Sequence, residues 1–302
     1  AYVLVVLIWA TTPLAIVWSS ESLSFISAVT VRMLLAFAVI CGILLARRQT
    51  LTLGAGNWKI YLVASLGLFP NMPLIYWSAQ FIPSGLLAII FGLAPFFTGL
   101  YARVFLKENV FTLRRVLALL LALGGLVLIF KDQLQLGGDA IYGVLGALGS
   151  CVLFATSSTL LKQMNSGLGA MNQTTGAIAF SLPGFLLMWY LVDGQIPTEV
   201  SSDSAMAIVY LAVMGSVLGV SLFMFLIRHL SMDSIALTTM IAPVLALMIG
   251  AGVAGEVLTP TLISGAVLVL LSLLLYQGIG LQFIKHKLNQ SPVVEEELDR
   301  AY

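Results

Sequence analysis

The chain alternates between long apolar runs and short polar breaks. Each run is close to the roughly 20 residues that an α-helix needs to cross a bilayer. The period-two alternation that is typical of transmembrane barrel strands is absent from the sequence. The pattern therefore predicts an all-α polytopic membrane protein with ten helices, at residues 2–19, 25–46, 58–78, 83–105, 112–130, 138–161, 169–192, 204–227, 232–254 and 260–283.

The breaks are short, so successive helices are expected to run antiparallel. The break at Ser78–Ile82 carries no charge, and we place it there because Pro83 suits the first position of a helix. An alternative for residues 1–18 is a signal peptide. We expect a helix instead, because this segment has no basic n-region and the internal repeat described below requires it.

Composition agrees with a membrane location. Hydrophobic residues make up 60% of the chain and charged residues only 9%, against about a quarter in soluble domains. The net charge of +1 argues against nucleic acid as a partner. Cys41 and Cys151 lie within apolar runs, so we expect free, buried thiols, no metal cluster and no cofactor.

Lysine and arginine mark one side of the predicted membrane protein. Such residues accumulate in cytoplasmic loops, and twelve of the fourteen fall on one side of a ten-helix arrangement, at Arg47, Arg48, Lys59, Arg103, Lys107, Arg114, Arg115, Lys162, Arg228, Lys285, Lys287 and Arg300. We therefore predict that both termini are cytoplasmic.

Two pairs of segments suggest an internal repeat. Residues 94–108, "APFFTGLYARVFLKE", and residues 242–256, "APVLALMIGAGVAGE", share Ala, Pro and Glu at a shift of 148. Residues 9–14, "WATTPL", match residues 154–159, "FATSST", at a shift of 145. Each match alone is weak, but both occur in the same order and nearly in register.

The repeat divides the chain into two halves of five helices, over residues 1–135 and 136–284, followed by a polar tail at 285–302. Five is an odd number, so the second half must enter the membrane from the opposite face. Inverted repeats of this kind are typical of secondary transporters, which bind substrate near the midplane where the repeats meet. We therefore expect alternating access.

With this organisation, the sequence resembles the drug/metabolite transporter superfamily, in its EamA branch. The resemblance is carried by "IWATTPLAI" in the first helix, "VRMLLAF" (31–37) in the second, residues 74–108, and "GGLVLIF" (124–130), with an echo at 242–256. Within that branch the chain resembles the bacterial YddG-type exporters of aromatic and other amino acids. The resemblance implies a multi-pass exporter of the bacterial inner membrane.

Polar residues recur at matching depth on the first, third, sixth and ninth helices, with aromatic residues beside them. They would line one substrate cavity, or they would join helices by hydrogen bonds. Neutral hydroxyls, one amide and aromatic walls suit a zwitterion with a large apolar side chain. The candidate substrate-binding residues are Trp9, Thr11, Thr12, Asn71, Tyr76, Phe91, Phe154, Ser157, Ser158, Thr238 and Thr239.

Prolines and one arginine are candidates for gating. Pro13, Pro95 and Pro243 remove backbone donors within apolar runs, where they would act as hinges or as kinks for packing. Arg32 is a strongly ionised residue well inside an apolar run. It could meet a substrate carboxylate or serve structure and gating, and the family resemblance favours the second role. In the second half its counterpart is Ala177.

The acidic residues argue against proton coupling. No Asp or Glu occupies the centre of a predicted helix, whereas proton-coupled pumps generally need a buried acid. Passive, gradient-driven export is therefore the simpler expectation. Glu108 and Glu256 precede the fifth and tenth helices, where we expect them to cap helix N-termini.

Other function classes fit the sequence less well. An aspartyl protease would need Gly-x-Gly-Asp, but Leu136 replaces the first Gly in "LGGDA" (136–140), and no His-Glu-x-x-His occurs. We therefore predict no enzyme and no catalytic residues. A drug or nucleotide-sugar carrier of the same fold and a passive channel remain as alternatives. The expected partners are a small-molecule substrate and membrane lipid, with the protein a monomer.

Overall fold

The computed structural model describes residues 1–48, 50–52, 54, 56–106, 112–136, 139–164, 167–230 and 232–277. Within those ranges the structure describes the backbone alone at residues 102, 104–106, 130, 132–136, 232–240 and 277. Glu108, predicted to be a helix cap, lies outside the described residues.

The described residues form α-helices, one π-helical segment and turns, and they contain no β-strand. The helices are α1 (Tyr2–Ser19), α2 (Phe25–Ala46), α3 (Asn57–Leu66), α4 (Asn71–Ser78), α5 (Ser84–Phe91), α6 (Ala94–Leu106), α7 (Leu113–Leu136), α8 (Ala140–Met164), α9 (Ala170–Val192), α10 (Ser202–Tyr210), α11 (Val220–His229), α12 (Met232–Val253) and α13 (Pro260–Gln277). The π-helical segment, Leu211–Gly219, joins α10 to α11.

Seven helical stretches of the described chain are long and apolar enough to cross a membrane, and Ile241–Val253 and Pro260–Tyr276 are shorter apolar helices. The seven stretches are Tyr2–Ser19, Phe25–Ala46, Asn57–Ser78, Ser84–Tyr101, Ala140–Met164, Ala170–Val192 and Ser202–His229. The described part of the chain is therefore helical, with the repeated apolar spans of a multi-pass membrane protein. The predictions of helices at 2–19 and 25–46 are confirmed by α1 and α2.

Three predicted helices prove to be interrupted. The prediction of one helix over 58–78 is wrong in its middle, because turn residues 67–70 separate α3 from α4. Pro70 has no backbone N–H and disfavours helical geometry at the residue before it. The helix predicted over 83–105 is interrupted at residues 92–93, and that predicted over 204–227 contains the π-helical segment.

Serine side chains fix the starts of two helices. The Ser24 hydroxyl accepts a hydrogen bond from the backbone N–H of Ser27 at the start of α2. Ser201 does the same for Ser204 at the start of α10. Each contact satisfies one of the backbone donors that a helix N-terminus leaves unpaired.

The helices pack around α8 and α12. Helix α12 lies against α1 and α5, while α8 lies against α3, α4, α5 and α6. Helix α9 packs on α2 and α3, and α10 with the π-helical segment packs on α1 and α2. This arrangement leaves the helices α1, α5, α8 and α12 around the middle of the molecule.

Helices α7 and α13 form a very close pair. A Cβ atom built on Gly125 would lie 2.7 Å from the backbone oxygen of Gly265, and one built on Gly265 would lie 2.8 Å from the oxygen of Gly125. Glycine at both positions lets the two backbones approach to direct contact, as small residues do at membrane helix interfaces.

Glu256 caps a different helix from the one predicted. Its carboxylate accepts hydrogen bonds from the backbone N–H groups of Ser84, at 2.8 Å, and Gly85, at 3.1 Å, which begin α5. Helix α13 is instead capped by Thr259, whose hydroxyl accepts from the N–H of Leu262 at 3.0 Å. Thr259 lies next to α13 in the chain and can satisfy its first turn, which leaves Glu256 to reach across to α5.

Candidate functional site

A cavity of about 150 Å³ lies where α1, α2, α4, α5, α8, α11, α12 and the π-helical segment converge. Its wall is predominantly carbon, with a few polar groups set into it. Apolar lining with a few placed polar groups is the usual character of a small-molecule site. A cavity of this volume is large enough for a benzene-sized ring.

Aromatic rings from four helices form one wall. The ring centroids of Trp9 and Phe154 are 5.8 Å apart in an edge-to-face arrangement. Phe223 lies 4.8 Å from Trp9 and 5.3 Å from Phe154, and Phe91 lies 5.3 Å from Phe154. All four line the cavity, so a ligand there would meet ring edges and faces.

The hydroxyl groups of the wall present oxygen acceptors. Thr12 donates its proton to the backbone oxygen of Ile8 at 2.6 Å, and Ser157 donates to the backbone oxygen of Val63 at 2.8 Å. A hydroxyl that donates in this way keeps its lone pairs for a ligand.

The Asn71 side chain is held by the protein itself. Its amide donates to the backbone oxygen of Gly67 at 2.8 Å, and its side-chain oxygen accepts from Ser150. Asn71 is fully buried, and it also lines the cavity. The backbone oxygen of Gly67, freed at the turn between α3 and α4, is thereby satisfied as a buried carbonyl must be in a membrane.

Arg32 brings a positive charge to the cavity. Its side chain is only 1% exposed. Nε donates to the hydroxyl of Ser216 at 2.9 Å, and Nη1 donates to the hydroxyl of Tyr76 at 3.2 Å. The guanidinium carbon lies 5.9 Å from the centre of the Tyr76 ring. The Arg32 side chain therefore ties α2 to α4 and to the π-helical segment.

The structure brings most of the predicted site residues together. The cavity is lined by Trp9, Thr12, Pro13, Arg32, Asn71, Phe91, Phe154, Ser157, Ser158 and Pro243.

Three other predicted residues do not line the cavity. Thr11 hydrogen-bonds to the hydroxyl of Tyr210 at 2.5 Å and so joins α1 to α10. Tyr76 accepts a hydrogen bond from Arg32 but does not itself line the cavity, and Pro95 occupies the first turn of α6. The side chains of Thr238 and Thr239 fall outside the part of the chain that is described.

Several residues of the wall are not among those predicted from the sequence. Phe223 and Met224 were overlooked because the predicted eighth helix carries few polar residues and was not expected to reach the site. Gly67 and Gly215 were overlooked because only the interrupted helices place them there. The signal that was available is the pair of glycines at corresponding depths of the third and eighth predicted helices.

A polar cluster at the ends of two membrane-spanning segments joins α9 to the start of α2, and its carboxylate, Asp193, lies just beyond the span Ala170–Val192. The Asp193 carboxylate accepts hydrogen bonds from the hydroxyls of Ser24 and Ser27, the latter at 2.5 Å. The Trp189 indole donates to Ser27 at 3.1 Å. The hydrogen bonds from Ser24 and Ser27 hold the pKa of the Asp193 carboxyl below its ordinary value.

Comparison with protein families gives a match over most of the chain. A family model described as the EamA-like transporter family matches residues 1–131 and 141–277. One solved crystal structure, described only as that of a protein, superposes on 93% of this chain and 96% of its own with a TM-score of 0.66. The two share 16% sequence identity, so this likeness concerns the fold alone.

Curated relatives are named as transporters. The uncharacterized transporter YvbV of Bacillus subtilis (strain 168) is 25% identical over 228 residues, which are 72% of each chain. The uncharacterized inner membrane transporter YedA of Escherichia coli (strain K12) is 28% identical over 184 residues, which are 60% of this chain and 57% of YedA. An uncharacterized transporter of Archaeoglobus fulgidus is 26% identical over 89% of this chain and 95% of its own.

Proposed function

This chain belongs to the EamA-like transporter family of the drug/metabolite transporter group, and we propose that it exports amino acids with large apolar side chains, or related metabolites, by alternating access. The cavity is the observation that carries the proposal. Its aromatic wall suits an apolar side chain, and its hydroxyl oxygens suit the ammonium group of an amino acid.

The proposed membrane topology has ten spans in two inverted halves, residues 1–135 and 136–284, with both termini and the tail at 285–302 in the cytoplasm. The helix contacts support it. In this topology α1 is the first span and α12 the ninth, and their counterparts in the other half are α8, the sixth, and α5 with α6, the fourth. The contact of α1 with α12 therefore corresponds to the contact of α8 with α5 and α6. Likewise α3 belongs to the third span and α9 is the seventh, and their counterparts are the eighth span, with α10 and the π-helical segment, and the second, α2. These counterparts also contact each other. Exchanging the two halves therefore maps observed contacts onto observed contacts.

Contact between repeat counterparts supports the same topology. Trp9 and Phe154 correspond to each other at the shift of 145, and their rings touch at the cavity. A residue touches its own counterpart only near the axis that relates the two halves. The proposed substrate site therefore lies at the interface of the repeats, where secondary transporters of inverted design bind.

Irregular backbone beside the cavity supports alternating access. The turn at residues 67–70 interrupts the third span, and a shift of 145–148 places it on the π-helical segment of the eighth. Pro13 and Pro243 also line the cavity. We propose that these points, with Pro95 at the start of α6, act as the hinges of the two halves.

We place the protein in the bacterial inner membrane, in line with the name of the relative YedA, and we propose that it acts as a monomer. A nucleotide sugar would need several cations for its phosphates, whereas Arg32 is the cation among the described lining residues. The cavity therefore favours amino acids over nucleotide sugars.

Uptake of labelled solutes into proteoliposomes tests the proposal. We expect saturable counterflow of phenylalanine and leucine, weak counterflow of glutamate and lysine, and none of a nucleotide sugar. Counterflow should persist when an uncoupler collapses the proton gradient. Transport of apolar drugs or nucleotide sugars without amino acids would contradict the substrate class, and non-saturable flux would indicate a channel.

A further inference from the structure

We propose that Arg32 binds the carboxylate of the substrate and so makes the cavity selective for carboxylic acids over amines. This inference rests on the proposed function and names the group through which the substrate's charge is recognised. It starts from the balance of charge around the cavity.

The Arg32 guanidinium is buried without a counter-ion among the described residues. Its hydrogen-bond partners, Ser216 and Tyr76, are neutral hydroxyls. The part of the cavity lining that the structure describes contains no carboxylate. Guanidinium stays protonated in proteins, and charged residues inside membranes pair with other charges or mark substrate pathways. A positive charge therefore faces an apolar cavity in which an anion would be its natural partner.

The guanidinium also keeps donors for a ligand. It has five N–H groups, and the recorded hydrogen bonds use one on Nε and one on Nη1. Nη2 lies beside Gly215, where a built Cβ atom would be 3.0 Å away. Gly215 and Arg32 both line the cavity. The absence of a side chain at Gly215 lets Nη2 approach the π-helical segment this closely. Among the described residues Nη2 donates no hydrogen bond, so its donors remain for a ligand.

The Arg32 side chain is held in place before any ligand arrives. Ser216 anchors Nε from the π-helical segment, and the Tyr76 hydroxyl anchors Nη1 from α4. A fixed guanidinium offers the planar fork that suits a carboxylate. Its orientation is already set, so less conformational entropy is lost on binding.

The rest of the cavity complements this assignment. The aromatic wall would receive the apolar side chain, and the oxygens of Thr12 and Ser157 would accept from an ammonium group. A ligand with an ammonium group and no carboxylate would place its positive charge in the same cavity as Arg32. The amine should therefore bind poorly, while an acid that lacks the amino group should still bind.

Three probes that share the phenylethyl skeleton separate the contributions of the two charged groups. They are L-phenylalanine, 3-phenylpropionate, which lacks the amine, and 2-phenylethylamine, which lacks the carboxylate. Binding to the purified full chain in detergent is measured by the concentration-dependent rise in Tm. With the wild type we expect both acids to bind and the amine to bind at least about tenfold more weakly.

The variant Arg32→Gln should lose about 10- to 100-fold in affinity for both acids and little for the amine, while Arg32→Lys should retain part of the preference. Leu34→Ala is the matched control, because Leu34 is an exposed apolar residue of the same helix. It should leave all three affinities unchanged. If Arg32→Gln does not fold, the wild-type order of the probes and the result for Arg32→Lys decide the matter.

Equal binding of amine and acids by the wild type would overturn the inference, as would an equal loss for all three probes in Arg32→Gln. The proposed function fails separately. If 3-phenylpropionate binds through Arg32 but phenylalanine is neither bound nor transported, the carboxylate site stands and amino acid export does not. If phenylalanine is transported but the carboxylate makes no difference to binding, amino acid export stands and the carboxylate site does not.

Discussion

At the scale of single residues, Trp9 is the largest aromatic side chain of the cavity wall. If substrate covers the indole, Trp9→Ala removes about 1.5–3 kcal/mol of apolar contact, which weakens binding about 10- to 100-fold. Leu7→Ala is the control, because Leu7 is exposed on the outer face of the same helix. The apparent affinity of counterflow in proteoliposomes, corrected for protein amount, measures both. Equal effects would place the substrate elsewhere.

Neighbouring threonines allow a second, sharper comparison. Thr12 lines the cavity, whereas Thr11 bonds to Tyr210. Thr12→Val keeps the shape and removes a hydroxyl, so affinity should fall by about 0.5–1.5 kcal/mol, or about 2- to 10-fold. Thr11→Val should leave affinity unchanged and lower the Tm. The same transport assay with a melting curve distinguishes them, and an affinity loss confined to Thr11→Val would reverse the assignment.

Asp193 predicts a dependence of stability on pH. Hydrogen bonds from Ser24 and Ser27 lower the pKa of its carboxyl in the folded protein. Its contribution to stability is therefore present above the unfolded pKa of about 3.9 and is lost as pH falls through the lower folded value. The Tm of the wild type should exceed that of Asp193→Asn at neutral pH, and the difference should close below about pH 4. A gap that persists undiminished in acid would exclude this origin.

At the scale of helices, adjacent glycines in α7 should respond oppositely to the same change. A Cβ on Gly125 would meet the backbone oxygen of Gly265, whereas a Cβ on Gly124 would meet nothing within 4 Å. Gly125→Ala should thus destabilise the α7–α13 pair by about 1–3 kcal/mol. Gly124→Ala should be neutral or stabilising by up to about 1 kcal/mol. Melting of the detergent-solubilised proteins measures both, and similar losses would argue against close backbone contact.

The helices could be predicted from hydrophobic runs and polar breaks, but their internal irregularities could not. Helices α1 and α2 begin and end where the pattern predicted. The interruptions at residues 67–70 and 92–93 and in Leu211–Gly219 lie inside predominantly apolar runs without a charged residue. Hydropathy does not indicate these interruptions. Irregular backbone inside the membrane depends on hydrogen bonds from other parts of the protein and on an adjoining cavity, and both arise only in the folded structure.

The candidate site could also be predicted only in part from the sequence. Repeat matches pointed to Trp9, Thr12, Phe154 and Ser157, which line the cavity. Phe223 has no polar neighbour to mark it, and only the packing of α11 against α1 and α8 brings it to the wall. Glu256 shows the same limit, because sequence proximity suggested the helix next to it and the fold supplied another.

At the scale of the whole molecule, the proposed topology places the start of α10 outside and the end of α2 in the cytoplasm. Ser202→Cys and Thr50→Cys test this in a background in which Cys41 and Cys151 are replaced by alanine. Both positions are exposed. An impermeant thiol reagent should modify the first in intact cells and the second only after permeabilisation. The reverse order would remove the inverted arrangement of the two halves.

The close crossing of α7 and α13 has a practical consequence. Neither helix contributes a described residue to the wall of the cavity, and their backbones meet at Gly125 and Gly265. The pair therefore lies away from the proposed ligand, and a binder attached to it would leave the cavity free. We expect antibody fragments or fused scaffolds for imaging, attached to the ends of these two helices, to leave substrate affinity unchanged.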